Sequence, residues 1–418
     1  MKGGQSLKKA VMICLFALFS CALCTVCFAD DAEVLPKGVI RLGVETEFYL
    51  PVHERYNQDG DVEDVAVDYN KPLDSNVFPA LGLIEQAFGM PPGSATVGSS
   101  VVSFEYNFKL TDFSFAYGLT DKLTVGVILP YWWQENKVKA KLNNTTATVG
   151  KNAALNMLLP LSVPGTVPLT TNDVQNLLGK GLDINGDGTV DIPGYGYKRL
   201  ETWSGSGIAD LQVGFRYQYL KTDNWRLAFT GGVRFPTGDV DNPDNLVDYP
   251  FGDGAYALLF RLNNDYTGIK RLTLNATFRY DLILPDGQNK RVPDSVDQQI
   301  TFNKEHVDRD LGDVVELEAS AKYELLKGFD VFGLYKYGFK QKDDISGDKG
   351  YAYESLEDET DYTEQIFIVG LSYSTIPLYL EKKFSVPLRA ALSYRNRFAG
   401  SNNVLKSQYI KAGLQVYF

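Results

Sequence analysis

The chain has 418 residues, a formal charge of −11, 44% apolar residues and an aromatic content of 13%. An acidic chain has no electrostatic hold on a polyphosphate, which argues against nucleic acid as a partner. All four cysteines, Cys14, Cys21, Cys24 and Cys27, fall near the start, so the remainder offers neither a disulfide framework nor a thiolate metal site.

Lys2, Lys8 and Lys9 form a basic n-region, and Ala10 to Phe28 an apolar h-region, followed by Asp30 and Asp31. This reads as a secretory signal cleaved after Ala29. The h-region is also long enough to span a bilayer as a retained anchor. Lipidation at Cys21 would follow a poor lipobox, Phe19–Ser20. Removing the segment takes away three lysines and no acids, leaving the exported chain more acidic still. Beyond it no apolar run is long enough for a transmembrane helix, so only a closed β-barrel could cross a membrane. The expected organisation is a signal peptide over 1–29 and a barrel over 30–418, with long outer loops at about 51–99 and 134–205.

The strands are read from period-two alternation. Ile40, Leu42, Val44, Phe48 and Leu50 alternate with Arg41, Gly43, Glu45, Glu47 and Tyr49. A second strand sets Val102, Phe104, Tyr106 and Phe108 against Ser103, Glu105, Asn107 and Lys109. Its apolar parity then shifts to Phe113, Phe115 and Tyr117, which predicts a bulge near Thr111–Asp112. Leu119 to Lys122 is a tight turn, and Leu123, Val125, Val127 and Leu129 lead to Trp132–Trp133. After a long irregular region, Val213, Phe215, Tyr217 and Tyr219 oppose Gln212, Gly214, Arg216 and Gln218. A short turn then leads to a fifth strand, Trp225 to Phe235. The pattern recurs near Ala255–Asn263, Arg271–Leu284, Val314–Leu325, Val331–Lys340, Thr363–Ser374, Val386–Arg397 and Leu405–Phe418. Long and short connections alternate. These features predict an all-β, up-and-down antiparallel transmembrane barrel of about 12 strands (12–14) in the bacterial outer membrane. The last strand alternates back from Phe418 through Val416, Leu414, Ala412 and Ile410. This resembles the terminal strand of outer-membrane barrels, so Phe418 is the candidate assembly signal, with outer-membrane lipid and the barrel-assembly machinery as partners.

The stretches YGLTDKLTVGVILPY, GIADLQVGFRYQYL and RLAFTGGVRFPTGD, between Phe113 and Asp239, resemble the outer-membrane family labelled meta-pathway of phenol degradation. The resemblance implies a transporter, with a small apolar or aromatic solute as its cargo. The expected function is a channel for uptake by diffusion. The alternative is a structural or adhesive scaffold, and a hydrolase comes third.

The polar strand face supplies the lumen and selectivity candidates Arg216, Arg226, Arg234, Arg279, Arg389, Glu45, Glu105, Asp281 and Glu316, with Arg41, Arg261, Arg271, Arg395, Glu47, Asp210 and Glu318 beside them. Opposite charges there can fill the barrel by pairing, or form a charged constriction. DINGDGTVDI places Asp183, Asn185 and Asp187 at positions 1, 3 and 5 of a calcium loop, with Gly188 at the turn and Thr189 and Asp191 at positions 7 and 9. Position 12 is Gly194 where an EF-hand has Glu, so Ca²⁺, if bound, is held weakly. Two loop stretches are oddly apolar, FPALGLIEQAFGM and AALNMLLPLSVPGTVPL. They can pack as a cap or plug, or form a greasy entry site. The two histidines, His53 and His306, lie in expected outer loops without a nucleophile context, so no enzyme is expected.

Overall fold

The computed structural model describes residues 31–418. The expected signal peptide and its cleavage site lie outside the described residues. Twelve antiparallel strands close into a barrel. They are β1 (Ile40–Tyr49), β2 (Ser99–Thr120), β3 (Leu123–Asn143), β4 (Trp203–Ile208 and Leu211–Lys221), β5 (Trp225–Phe235) and β6 (Ala257–Ile269), then β7 (Leu272–Ile283), β8 (Val314–Leu326), β9 (Phe329–Lys340), β10 (Tyr362–Ser374), β11 (Leu388–Gly400) and β12 (Gln408–Tyr417). Each pairs with its neighbours in sequence, and β12 returns to β1 with Tyr417 opposite Arg41 and Tyr409 opposite Tyr49. The Ile40 amide donates to the Phe418 carbonyl at 3.0 Å, and the Phe418 amide to Ile40 at 2.9 Å. Closure satisfies the backbone groups that lipid cannot.

Alternation decides facing. On β4, Val213, Phe215 and Tyr217 are exposed while Gln218 is buried; on β12, Ile410 and Leu414 are exposed while Gln415 is buried. The exposed apolar side is the lipid belt, which places the barrel in the bacterial outer membrane. Among the described residues no helix is long and apolar enough to cross a membrane.

β2 and β3 have 22 and 21 residues, about twice the 9–11 that a membrane crossing needs. Their outer halves therefore stand clear of the bilayer. The expected bulge at Thr111–Asp112 is not there: pairing runs unbroken from Ser99 opposite Asn143 to Gly118 opposite Thr124. Odd-numbered residues of β2 point outward along its whole length. Phe113, Phe115 and Tyr117 meet lipid; above them Lys109, Asn107 and Glu105 meet water, and Phe104 and Phe108 turn to a buried interior. The apolar parity changes because the surroundings change, not the register.

The outer loops build a cap on this extension. Phe78 and Leu81 of the first loop pack with Leu158, Leu169, Leu177 and Leu182 of the second and with Ile300 of the fourth. The two odd apolar stretches thus share one core. Helix α1 (Ala80–Phe88) lies in the first loop and α2 (Thr171–Leu178) in the second. Thr170 and Asp173 start α2 with a reciprocal capping box. The second loop begins after Asn143, not near 134, because β3 climbs further than its alternation suggested. At the other end the turns are tight, apart from α3 (Ile376–Leu380) between β10 and β11.

Candidate functional site: the barrel lumen

At the outer end a cavity of about 370 Å³ is lined by Arg234, Lys290, Arg309 and Lys340 and by Asp241, Asp253 and Asp343. Arg234 lies 2.8 Å from Asp253 and Lys290 2.9 Å from Asp241. Below the cap, β1, β2, β3 and β12 turn aromatic rings inward. Tyr49 packs on Tyr409 (4.7 Å between centroids) and edge-on to Phe108 (5.6 Å). Trp132 touches both Tyr49 and Phe108. Tyr106 stacks on Phe108, and Tyr249 of the third outer loop closes on that pair. Arg395 lies over Tyr409 at 5.0 Å.

Beside this patch the charged side chains lie in two networks. Lys411 reaches Glu45 (2.8 Å) and Glu47 (3.3 Å), its directly opposite partner on β1. On the far wall Arg279 meets Glu316 (3.4 Å) and Glu318 (3.3 Å), Lys336 joins Glu316 to Glu364 (3.2 Å), and Arg397 lies 2.7 Å from Glu364. Arg279 and Glu316 are also direct cross-strand partners. The barrel interior here is lined by cross-strand pairs of opposite charge.

At the periplasmic end the lumen opens into a cavity of about 800 Å³. One wall is made of backbone. Gly126, Gly214 and Gly232 are successive partners on β3, β4 and β5. A Cβ on Gly214 would come within 2.8 Å of the Gly231 carbonyl, and one on Gly232 within 2.8 Å of the Val213 carbonyl. Val34, Leu35, Val39, Ile128 and Leu259 add apolar surface, and Arg41, Arg216, Arg261 and Arg389 add guanidinium groups.

A strap, residues 31–37, enters this space ahead of β1. The Ala32 amide donates to Asp265 Oδ2 (3.2 Å), and Gln218 Nε2 donates to the Ala32 carbonyl (2.6 Å). The Leu35 amide donates to Thr124 Oγ1 (2.8 Å) and the Lys37 amide to Asp121 Oδ1 (3.0 Å). Asp31 lies 3.6 Å from Arg216, and Glu33 pairs with Arg226, which also reaches Asp265 at 3.1 Å. Burial would raise the Glu33 carboxyl, but Lys322, Arg226 and Arg389 outweigh it and hold it at about 2, below its ordinary 4.5. Its side chain is nonetheless 45% exposed.

The family described as "Putative MetA-pathway of phenol degradation" matches residues 96–377, two thirds of the sequence. The chain belongs to this family. No curated protein matches it in sequence. Among solved structures, an outer membrane channel from Pseudomonas putida F1 is 11% identical with a TM-score of 0.52, covering 94% of this chain and 100% of that one. This likeness is one of fold. The toluene transporter TodX of Pseudomonas putida (11% identity, TM-score 0.33, 92% and 90% covered) and the translocator domain of the autotransporter NalP of Neisseria meningitidis (10%, 0.37, 99% and 95%) are more distant barrels.

In this member of the phenol-degradation family the sequence candidates scatter over three places. Arg216 and Arg389 line the inner cavity and Arg226 holds the strap. Arg234 lines the outer cavity. Glu45, Arg279, Glu316 and, by parity, Asp281 face the lumen between. Glu105 does not: it is on the outward parity, bonded to Lys137 at 2.6 Å and 3.8 Å from His53. Arg271 sits in the turn between β6 and β7 at φ 64°, outside the lumen. Asp210 is buried at the break in β4, accepting the Gly238 amide at 3.0 Å and the Asp253 amide at 3.2 Å.

The acidic loop is ordered by its own backbone. Asp183 accepts the amides of Gly186 (2.7 Å) and Gly188 (2.9 Å), Asp187 that of Thr189 (2.7 Å) and Asp191 that of Ile184 (2.7 Å). Among the described residues no group of three or more His, Cys, Asp or Glu converges as a metal cage. Sequence reasoning missed the aromatic patch and the strap. Alternation puts Tyr106 and Phe108 on the strand's apolar face without saying that this face turns inward above the bilayer, and the strap has no periodicity; its only signal is two acids, Asp31 and Glu33, ahead of an arginine-rich polar face.

Proposed function

We propose that the barrel is an uptake channel for small hydrophobic or aromatic molecules. The observation that carries this reading is the inward aromatic patch of Tyr49, Tyr106, Phe108, Trp132, Tyr249 and Tyr409, with a glycine-walled cavity at the periplasmic end. Flat rings gain from aromatic contacts at little directional cost, and a wall without side chains leaves them room. The family's phenol-degradation description agrees with aromatic cargo. Outer-membrane lipid surrounds the apolar belt, and the assembly machinery would read the last strand with Phe418. The barrel does no covalent chemistry in this reading.

A second reading is favoured by the cap and the strap: a non-conducting scaffold whose working part is the outer loop cluster. The two separate in one experiment. Purified protein in planar bilayers should conduct, and a deletion strain should grow more slowly on aromatic carbon sources. A folded barrel that never conducts, with growth unchanged on every source, would leave only the scaffold.

A further inference from the structure

The inner cavity has a sign as well as a shape. Its lining holds four guanidinium groups, Arg41, Arg216, Arg261 and Arg389, and two acidic side chains, Asp31 and Glu33, with Phe418 and its terminal carboxylate also in the lining. In the outer cavity, by contrast, each cation has its own carboxylate: Arg234 pairs with Asp253, Lys290 with Asp241, Arg309 with Asp286 and Lys340 with Asp343. Yet the chain as a whole carries −11. Placement, not composition, therefore gives the inner cavity its excess of guanidinium groups over acidic side chains.

A neutral hydrocarbon gains at most a stacking contact from such a lining. It would displace water from guanidinium groups and offer no hydrogen-bond acceptor in return, a desolvation cost without recompense. A carboxylate gains twice. Cations in a low-dielectric cleft concentrate anions there, and the planar guanidinium fork matches a carboxylate with two parallel hydrogen bonds. Arginine-lined constrictions are a physical route to anion preference. The remaining walls, with the glycine shelf and the side chains of Ile128 and Leu259, suit a flat apolar body rather than a hydrated inorganic ion.

We infer that the inner cavity takes an aromatic carboxylate, with the carboxylate toward the arginines and the ring toward the glycine shelf of β3, β4 and β5. This rests on the uptake reading and narrows it to ionised aromatic acids. An acid bound there competes with Asp31 for Arg216, so the cargo itself helps to release the strap.

The test uses the exported protein in planar bilayers and in cells. In a potassium chloride gradient the reversal potential should report anion preference, and potassium benzoate should carry current or block the chloride current. Cells lacking their other uptake channels should accumulate labelled benzoate several-fold faster with the protein than without, and labelled toluene less so. The double variant Arg261→Gln, Arg389→Gln should lose the benzoate gain, and Arg261→Lys, Arg389→Lys should retain part of it. Should the glutamine variant fail to fold, the wild-type reversal potential decides alone. Cation preference, or toluene uptake without benzoate uptake, overturns the inference and leaves the channel reading standing. Uptake of neither overturns both.

Discussion

Val213 and Arg216 are three positions apart on one strand and meet different solvents, lipid and luminal water. That facing was legible from alternation alone, because the pleat sends neighbours to opposite sides. Val213→Arg, Phe215→Arg and Leu274→Arg should each destabilise the barrel by about 2–4 kcal/mol where the site is near the midplane, read by denaturant unfolding in lipid vesicles. Arg216→Ala should leave the barrel folded and change conductance, since it removes a luminal cation and its contacts with Asp31 (3.6 Å) and Thr230 (2.9 Å). Reversed outcomes would turn the barrel inside out. The same alternation misled at Glu105, Tyr106 and Phe108. Period two reports that two faces differ, but not which solvent each meets, and outside the bilayer the apolar face is the inner one.

At the scale of elements, the strap shows what periodicity cannot reach. It has no strand or helix of its own and is held by Asp265, Gln218, Thr124 and Asp121, residues far from it in sequence. Deleting residues 31–36 should raise single-channel conductance. Its pH response follows from Glu33, whose carboxyl is lowered in the docked strap. Docking is therefore complete above the ordinary value of 4.5 and is lost as pH falls toward about 2. Conductance should be flat from neutral pH down to about 4.5 and rise only below; Glu33→Gln should be open at neutral pH already. A wild-type channel that opens instead as pH rises would contradict the sign. The last strand makes a separate claim. Phe418→Asp should impair assembly, because that residue presents the expected signal and its backbone pairs with Ile40. Unchanged surface display and heat-modifiable migration would count against it.

At the scale of the molecule, the barrel was legible and the cap only half so. Alternation, loop lengths and the terminal strand each follow from the bilayer, and a bilayer constrains every strand in the same way. The cap answers to no such repeat. That Phe78 would meet Leu158 and Leu169 depends on how two loops fold over the β2–β3 hairpin, which local sequence does not encode. The acidic loop hangs from this cap, with Ile184 in its core and the carboxylates outside. We propose that it binds calcium weakly. Each Asp183 oxygen accepts one amide and keeps a second lone pair, so a cation can be added without breaking the turn. With Gly194 in place of a bidentate Glu, affinity should be on the order of 10⁻⁴–10⁻³ M. Bound calcium would screen Asp183, Asp187 and Asp191 from one another and hold the segment from Thr171 to Gly196 against the cap. Protease should then cut this loop faster in chelator than in millimolar calcium, and Asp183→Ala with Asp187→Ala should abolish the difference. Equal cleavage of the unmutated protein in both conditions would mean that the backbone amides alone order the loop and that the cap closes without an ion.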